Sequence, residues 1–192
     1  SDVHLLHAGE IYAGRDPQPL FDAMARLNAR PEARQLHLDI LGRCDSNPPT
    51  TAMMSFLGQQ GYEPTLDAMA HADILVLFDS PGRKIGVPAK LYEYLGAGRP
   101  ILALAEPDGD VAAILRSSGV AHRIARPKDA AAIGCALLEL EDLLHSSGRT
   151  ASSGRLDAYT RENLTRTLAE HLDRLTRRVP FATKRMAIAN EL

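Results

Sequence analysis

One acidic residue has surroundings that suggest chemistry. Glu93 lies within a helix that the sequence predicts over residues 88–97, and residues three and four apart are neighbours on a helix. The neighbours at these spacings are Ala89, Lys90, Gly96 and Ala97. Small neighbours leave room for a ligand, and a carboxylate accepts hydrogen bonds from paired hydroxyls such as those of ribose. The spacing equally allows a surface pair of Glu93 with Lys90, which would stabilise the helix by only roughly 0.2–0.5 kcal/mol.

The loop after the first predicted strand, "GEIYAGRDP", combines glycine with a cation. Gly9 and Gly14 would let a ligand approach the backbone closely, and Arg15 stands just before a predicted helix. A guanidinium there could meet an anion at the helix N-terminus, or it could simply be a solvated arginine. The G-x-G-x-x-G spacing of a dinucleotide fingerprint is absent from this loop.

A second loop, "DSPGRKIGVPAK" over residues 79–90, has the same character. It contains Gly82 and Gly86, two bases, and then a proline in the first turn of the next helix. Such a loop is typical of an anion site at a helix N-terminus. A flexible basic surface loop would have the same sequence features, so both interpretations stay open.

These loops follow elements that alternate between strand and helix. The apolar character of the strands predicts a parallel sheet covered on both faces, and hence an α/β, Rossmann-like, doubly wound fold in which ligands bind beyond the carboxyl ends of the strands. The predicted strands are 3–10, 35–42, 53–58, 73–78, 100–105 and 121–125. The predicted helices are 17–29, 63–72, 88–97, 110–119, 128–145 and 156–176.

Composition narrows the functional classes. The chain has 192 residues with 45% hydrophobic and 24% charged residues, as in an ordinary globular protein. Its net charge of -2 gives no global field for nucleic acid, and no apolar run is long enough to span a bilayer. The two cysteines have no metal-type spacing and no secretory context, so we expect both to be reduced, and a reduced state favours the cytoplasm. We expect a domain over residues 1–155, followed by a trailing helix and tail over 156–192.

Three segments together resemble one family. "GVPAKLYEYLGAGRPILAL" (86–104) resembles the helix and strand at the nucleotide-sugar site of group 1 glycosyltransferases with the GT-B fold. "SFLGQQGYEPTLDAMAHADILVLF" (55–78) and "GEIYAGRDPQPLFDAM" (9–24) are similar to the preceding segment and to the first strand-loop-helix of that family. The resemblance covers roughly residues 3–145 and extends weakly to the last helix.

The resemblance implies roles for particular residues. Glu93 matches the second glutamate of the E-x7-E motif, which binds the ribose hydroxyls, and Arg15, after Gly9, matches the residue that holds the diphosphate. Charge on the leaving diphosphate would be stabilised by Arg15 and Lys90. Other matches are Gly86 and Val87, in the turn whose amides meet the diphosphate or sugar, and Gln60, Gly61 and Tyr62, in the loop that meets the base. No metal or other cofactor is implied.

The match has departures that bear on the sugar. The first glutamate of E-x7-E would fall at Ile85, Glu10 stands where many members have arginine, and Pro88 removes one amide from the phosphate turn. The resemblance reaches only the C-terminal, donor-binding half of a GT-B enzyme. We therefore expect the N-terminal acceptor domain, and any catalytic group it supplies, to be absent from this chain.

Two other functions stay open at this stage. A nucleotide-sugar epimerase of the same architecture would share the donor contacts. A non-catalytic α/β binding module, such as a receiver-like domain, is disfavoured because bases follow the strand that ends in Phe78 and Asp79.

The last helix suggests partners besides a nucleotide sugar. Its leucines form one apolar stripe, which predicts a homodimer through this helix. The resemblance implies a role in bacterial polysaccharide or glycoconjugate biosynthesis. The basic tail over 177–192 would allow contact with a membrane surface, so we expect the protein to be cytoplasmic or peripheral to the inner membrane.

Overall fold

A computed structural model describes residues 2–12, 14–31, 33–43, 51–147 and 157–178. The chain divides into two compact units, Ser1–Leu156 and Asp157–Leu192. The first unit contains β1 (Val3–Ala8), α1 (Gln18–Asn28), β2 (Leu36–Leu41), β3 (Met54–Phe56), α2 (Tyr62–His71), β4 (Ile74–Phe78), α3 (Lys90–Ala97), β5 (Ile101–Leu104), α4 (Asp110–Ser118), β6 (His122–Ala125) and α5 (Ala130–Ser147). The second contains a short 3-10 turn (Asp157–Tyr159) and α6 (Arg161–Arg178).

The strands of the first unit form a six-stranded parallel sheet. Their order is β3-β2-β1-β4-β5-β6, so the sheet grows outward in one direction from β1 and in the other from β4. The α/β, Rossmann-like, doubly wound prediction is confirmed. The order of the strands reverses between β1 and β4, and in open α/β sheets such a switch point is where ligands bind.

The sheet is buried as the strand sequences predicted. Every residue of β4 is buried, and in β1 only His4 is exposed. Helix α1 covers one face with its apolar stripe, which comprises Leu20, Phe21, Ala23, Met24 and Leu27. Burial of each large aliphatic side chain contributes roughly 1.5–3 kcal/mol, so this layer fixes where the strand ends lie.

Helix α3 is short and ends sharply. Gly98 adopts the left-handed conformation with φ 65°, and its amide donates to the carbonyls of Tyr94 and Leu95. Pro100 then leads into the buried strand β5. The buried residues of α3 are Leu91, Tyr94 and Leu95, which leaves Glu93 on the exposed side.

Tyr94 enters the sheet at the switch point. The paired residues of β1 and β4 are Leu5 with Ile74 and Leu6 with Leu75. Beyond them the Tyr94 hydroxyl accepts a hydrogen bond from the Ala8 amide at 2.8 Å and donates to the Val76 carbonyl at 3.2 Å. Complete burial raises the pKa of this phenol well above its usual value, so it stays neutral and can donate. The hydroxyl therefore replaces the direct bond between the two strands and parts them.

His7 supports the same carbonyl. Its Nδ1 lies 2.8 Å from the Val76 oxygen, and burial lowers the pKa of His7 to about 4. The ring is therefore neutral at physiological pH, with its proton on Nδ1, because a carbonyl can only accept. Its edge packs on Phe78, with the ring centroids 4.8 Å apart.

Tyr94→Phe should lower the free energy of unfolding by about 1–3 kcal/mol, because the buried Ala8 amide loses its acceptor while Val76 keeps His7. Urea denaturation measures the effect, and Tyr62→Phe is the matched control because Tyr62 is 67% exposed. Equal midpoints for the two variants would show that the hydroxyl does not hold the strands.

Candidate functional site

Two adjoining cavities lie beyond the carboxyl ends of the strands. The first, which we name the cationic cavity, has a volume of about 330 Å³ and is lined by Glu10, Tyr12, Arg15, Arg83, Pro88, Ala89 and Lys90. The second, the strand-end cavity, has about 190 Å³ and is lined by Ala8, Gly9, Glu10, Leu41, Gly42, Arg43, Gln59, Gln60, Thr65 and Lys90. Both include Glu10 and Lys90, so the two cavities meet beside the switch point.

Arg15 is held in the cationic cavity by an aromatic ring. Its guanidinium carbon lies 4.6 Å from the centroid of the Tyr12 ring, and its amide donates to the Tyr12 carbonyl at 3.2 Å. A cation over an aromatic face is attracted by the ring quadrupole, which orients the guanidinium without neutralising it. Arg15 was predicted for the site and Tyr12 was not, although Tyr12 stands three positions before this arginine in the sequence.

Arg83 is held in the same cavity by a buried carboxylate. Oδ1 of Asp79 accepts hydrogen bonds from the Ser80 amide and from Arg83 Nε, both at 2.7 Å. Arg83 Nη2 lies 2.5 Å from the same oxygen, and the Asp79 side chain is 1% exposed. The sequence predicts Arg83 only as one of the two bases of the loop over residues 79–90. The i, i+4 spacing of Asp79 and Arg83 after a buried strand was the available signal.

The side chain of Lys90 packs over the backbone of Gly9 and lines both cavities. A Cβ atom placed on Gly9 would lie 1.9 Å from Lys90 Cε, so the lysine lies against the bare backbone at the end of β1. Gly9 has φ 152°, which also favours glycine. Among the ion pairs of the described residues, none joins Lys90 to Glu93. The surface pair that the helical spacing allowed is therefore not formed.

The loop between β4 and α3 is braced by carboxylates. The Gly86 amide donates to Asp110 Oδ2 at 2.8 Å, and the Gly82 amide donates to Glu106 Oε1 at 3.0 Å. In return the Asp110 amide donates to the Lys84 carbonyl at 2.8 Å. The Gly86 amide, which the resemblance assigned to a diphosphate or sugar, is thus already bonded to an oxygen of this chain.

The chain contains one Asp-x-Asp pair, Asp108 and Asp110. Lys84 Nζ lies 2.6 Å from Asp108 Oδ2, and this hydrogen bond holds the pKa of the Asp108 carboxyl below its usual value. Asp110 is engaged with Gly86. Within the described part of the chain, no group of three or more His, Cys, Asp or Glu side chains could hold a metal ion.

The other predicted site residues lie around the cavities or outside them. Gln60 lines the strand-end cavity, and its Nε2 donates to the Leu57 carbonyl at 2.7 Å. Gly61 caps α2, and Tyr62 begins that helix with its ring mostly in solvent. The residues predicted for the site that line neither cavity are Gly61, Tyr62, Gly86, Val87 and Glu93. Ile85, at the tip of the braced loop, is 86% exposed.

The sequence matches one family model. Residues 2–142 match the model described as glycosyl transferases group 1, which is the family the three motifs resemble. No curated protein matches the sequence.

Solved structures share the fold at low sequence identity. Alr3699/HepE from Anabaena, in complex with UDP-glucose, aligns with a TM-score of 0.61 and 18% identity over 90% of this chain and 49% of that one. A glycosyltransferase from Rickettsia africae aligns with a TM-score of 0.67 and 12% identity over 93% and 49%. The pneumococcal O-GlcNAc transferase GtfA, in complex with UDP and GlcNAc, gives 0.63 and 14% over 90% and 36%. This chain therefore spans about half the length of these proteins, or less.

Gly9→Ala should weaken binding of inorganic pyrophosphate by about tenfold, because the new methyl group displaces Lys90 from the cavities. Calorimetry measures the affinity. Gly58→Ala is the matched control, because Gly58 also has a positive φ of 66° but a Cβ there meets nothing within 4 Å. If both variants bind pyrophosphate equally well, Lys90 does not serve the site from its place over Gly9.

Proposed function

Because this chain belongs to the group 1 glycosyl transferases, we propose that it is the donor-binding half of an enzyme that moves a sugar from a nucleoside diphosphate to an acceptor hydroxyl. The acceptor half would be a further domain outside this chain. The observation that carries the proposal is the cationic cavity, where Arg15, Arg83 and Lys90 converge from two loops and a helix.

The cations of this cavity suit a diphosphate. Two of them are guanidinium groups that a neighbouring side chain orients, Arg15 by Tyr12 and Arg83 by Asp79. Their remaining N–H groups therefore need no rearrangement to bind an anion. Positive groups fixed around a leaving diphosphate stabilise the charge that develops on it as the bond to the sugar breaks. In this proposal Arg15, Arg83 and Lys90 do so without a metal ion.

The strand-end cavity would take the nucleoside. It opens beside the switch point next to the cationic cavity, and polar groups of Gln59, Gln60 and Thr65 line it. We assign base contacts to the segment of Gln60, Gly61 and Tyr62, and ribose contacts to Glu93, which lies one helical turn beyond Lys90. Because Gly61, Tyr62 and Glu93 line neither cavity, the base and the ribose would extend beyond the strand-end cavity in this proposal. Val87 and Gly86 would lie near the sugar. For the Gly86 amide to reach it, Asp110 would have to release that amide.

The chain alone should bind UDP or GDP and transfer no sugar, because the second half of the cleft is missing. Calorimetry with both nucleotides, and an assay for sugar release from UDP-glucose and GDP-mannose, test this.

Arg15→Gln should weaken nucleotide binding about tenfold or more, whereas Arg26→Gln, on the exposed end of α1, should not.

Absence of binding by the parent chain, or equal affinities for the two arginine variants, would overturn the donor site. Sugar transfer by the chain alone would overturn the half-enzyme proposal.

Glu93→Gln should reduce the discrimination between UDP and its 2′-deoxy form, because an ionised carboxylate is a stronger acceptor for paired ribose hydroxyls than the neutral amide oxygen of glutamine. The parent chain should bind UDP more tightly than 2′-deoxy-UDP, by about 1.5–3 kcal/mol if the hydrogen bonds are fully lost. Glu162→Gln, in the first turn of α6, serves as control. A parent that binds both nucleotides equally would place Glu93 outside the ribose site.

Helix α6 is the proposed surface for self-association. Leu164, Leu168, Leu172 and Leu175 follow one another at spacings of four, four and three residues, and each is between 49% and 63% exposed. Such a stripe favours packing against the same stripe of a second copy of the chain.

Within the described residues no helix could cross a membrane. Residues 179–192 of the basic tail predicted over 177–192 lie outside the described residues, so a cytoplasmic or peripheral location stays a prediction.

Sedimentation velocity should show a concentration-dependent dimer that Leu168→Lys abolishes, because a lysine in the stripe buries a charge at the contact. Ala169→Lys, on the neighbouring face of α6, should leave the dimer intact. A parent that stays monomeric at high concentration would remove α6 as the contact.

A further inference from the structure

Glu10 is the one acidic residue in the lining of both cavities. Among the described residues that line them, the cations are Arg15, Arg43, Arg83 and Lys90. Glu10 is exposed at the start of the β1–α1 loop. Among the described residues, only Glu10 and Lys90 line both cavities. Within the part of the chain that the structure describes, no hydrogen bond or ion pair engages the Glu10 carboxylate. A negative charge is therefore presented at the junction of a site that is otherwise built for anions.

A carboxylate in such a place lowers the affinity for every anion that binds, and it lowers the affinity for the more highly charged anion most. When a sugar leaves a nucleotide sugar, the bond between the anomeric carbon and the phosphate oxygen breaks, and the electron pair stays on that oxygen. The released nucleoside diphosphate then carries one further negative charge on its terminal phosphate at neutral pH. That charge would develop within the cationic cavity, beside Glu10.

We propose that Glu10 discriminates between the nucleotide sugar and the nucleoside diphosphate, and so limits retention of the spent nucleotide. The inference rests on the proposed function. The three cations of the cationic cavity attract both ligands, and Glu10 opposes the free diphosphate more strongly. Loss of the negative charge should therefore tighten the binding of both ligands, with the larger gain for the diphosphate.

Binding of uridine, UDP-glucose and UDP to the full chain tests this, with the guanosine series in their place if GDP binds more tightly than UDP. For Glu10→Gln we expect the affinity for UDP to rise about tenfold, that for UDP-glucose about threefold and that for uridine not at all. Raising the salt concentration should reduce the gains, because the cavity is open to solvent. Glu10→Asp keeps the charge and should bind the three ligands as the parent does. Asp22→Asn, on the exposed face of α1, is the control for a general change in net charge.

The outcomes separate the two proposals. A parent chain that binds neither UDP nor GDP overturns both. A parent that binds UDP while Glu10→Gln changes UDP and UDP-glucose by the same factor overturns the role of Glu10 alone. Weaker uridine binding by Glu10→Gln also overturns it, because Glu10 would then be a hydrogen-bonding partner of the nucleoside.

Discussion

The site depends on the hydroxyl of Tyr94, which stands between β1 and β4. The paired residues of β1 and β4 end at Leu6 and Leu75, and beyond them the phenol bonds to both the Ala8 amide and the Val76 carbonyl. Since Tyr94 belongs to α3, the same contact fixes the helix that carries Lys90 and Glu93 against the opened strands. The Tyr94 side chain therefore links the crevice at the switch point to α3, which Leu91 and Leu95 also anchor.

The cations around this crevice are positioned by three different means. Arg15 is oriented by an aromatic ring, Arg83 by a buried carboxylate, and Lys90 by the absence of a side chain at Gly9. None of these devices buries the positive groups away from a ligand. The site thus combines fixed geometry with an excess of positive charge, which would suit the electrostatic stabilisation of the leaving diphosphate proposed above.

The sequence predicted the fold because buried strands and helix-ending signals such as Gly98 are local patterns. It also selected Gly9 and Arg15, in the loop after β1, and Lys90, at the start of α3. It could not predict the inserted Tyr94, because that contact joins residues 86 positions apart in the chain. For the same reason the Gly86 amide was assigned to a ligand, whereas Asp110, 24 positions later, accepts its hydrogen bond.

The braced β4–α3 loop has a consequence for the thermodynamics of recognition. Its backbone groups are bonded to Glu106 and Asp110 before any ligand arrives, so much of its conformational entropy is lost during folding and little remains to be lost on binding. Ligand association with such a surface needs little ordering of the loop. A partner domain that closes over it would meet a template of fixed shape, with the exposed side chain of Ile85 projecting from it.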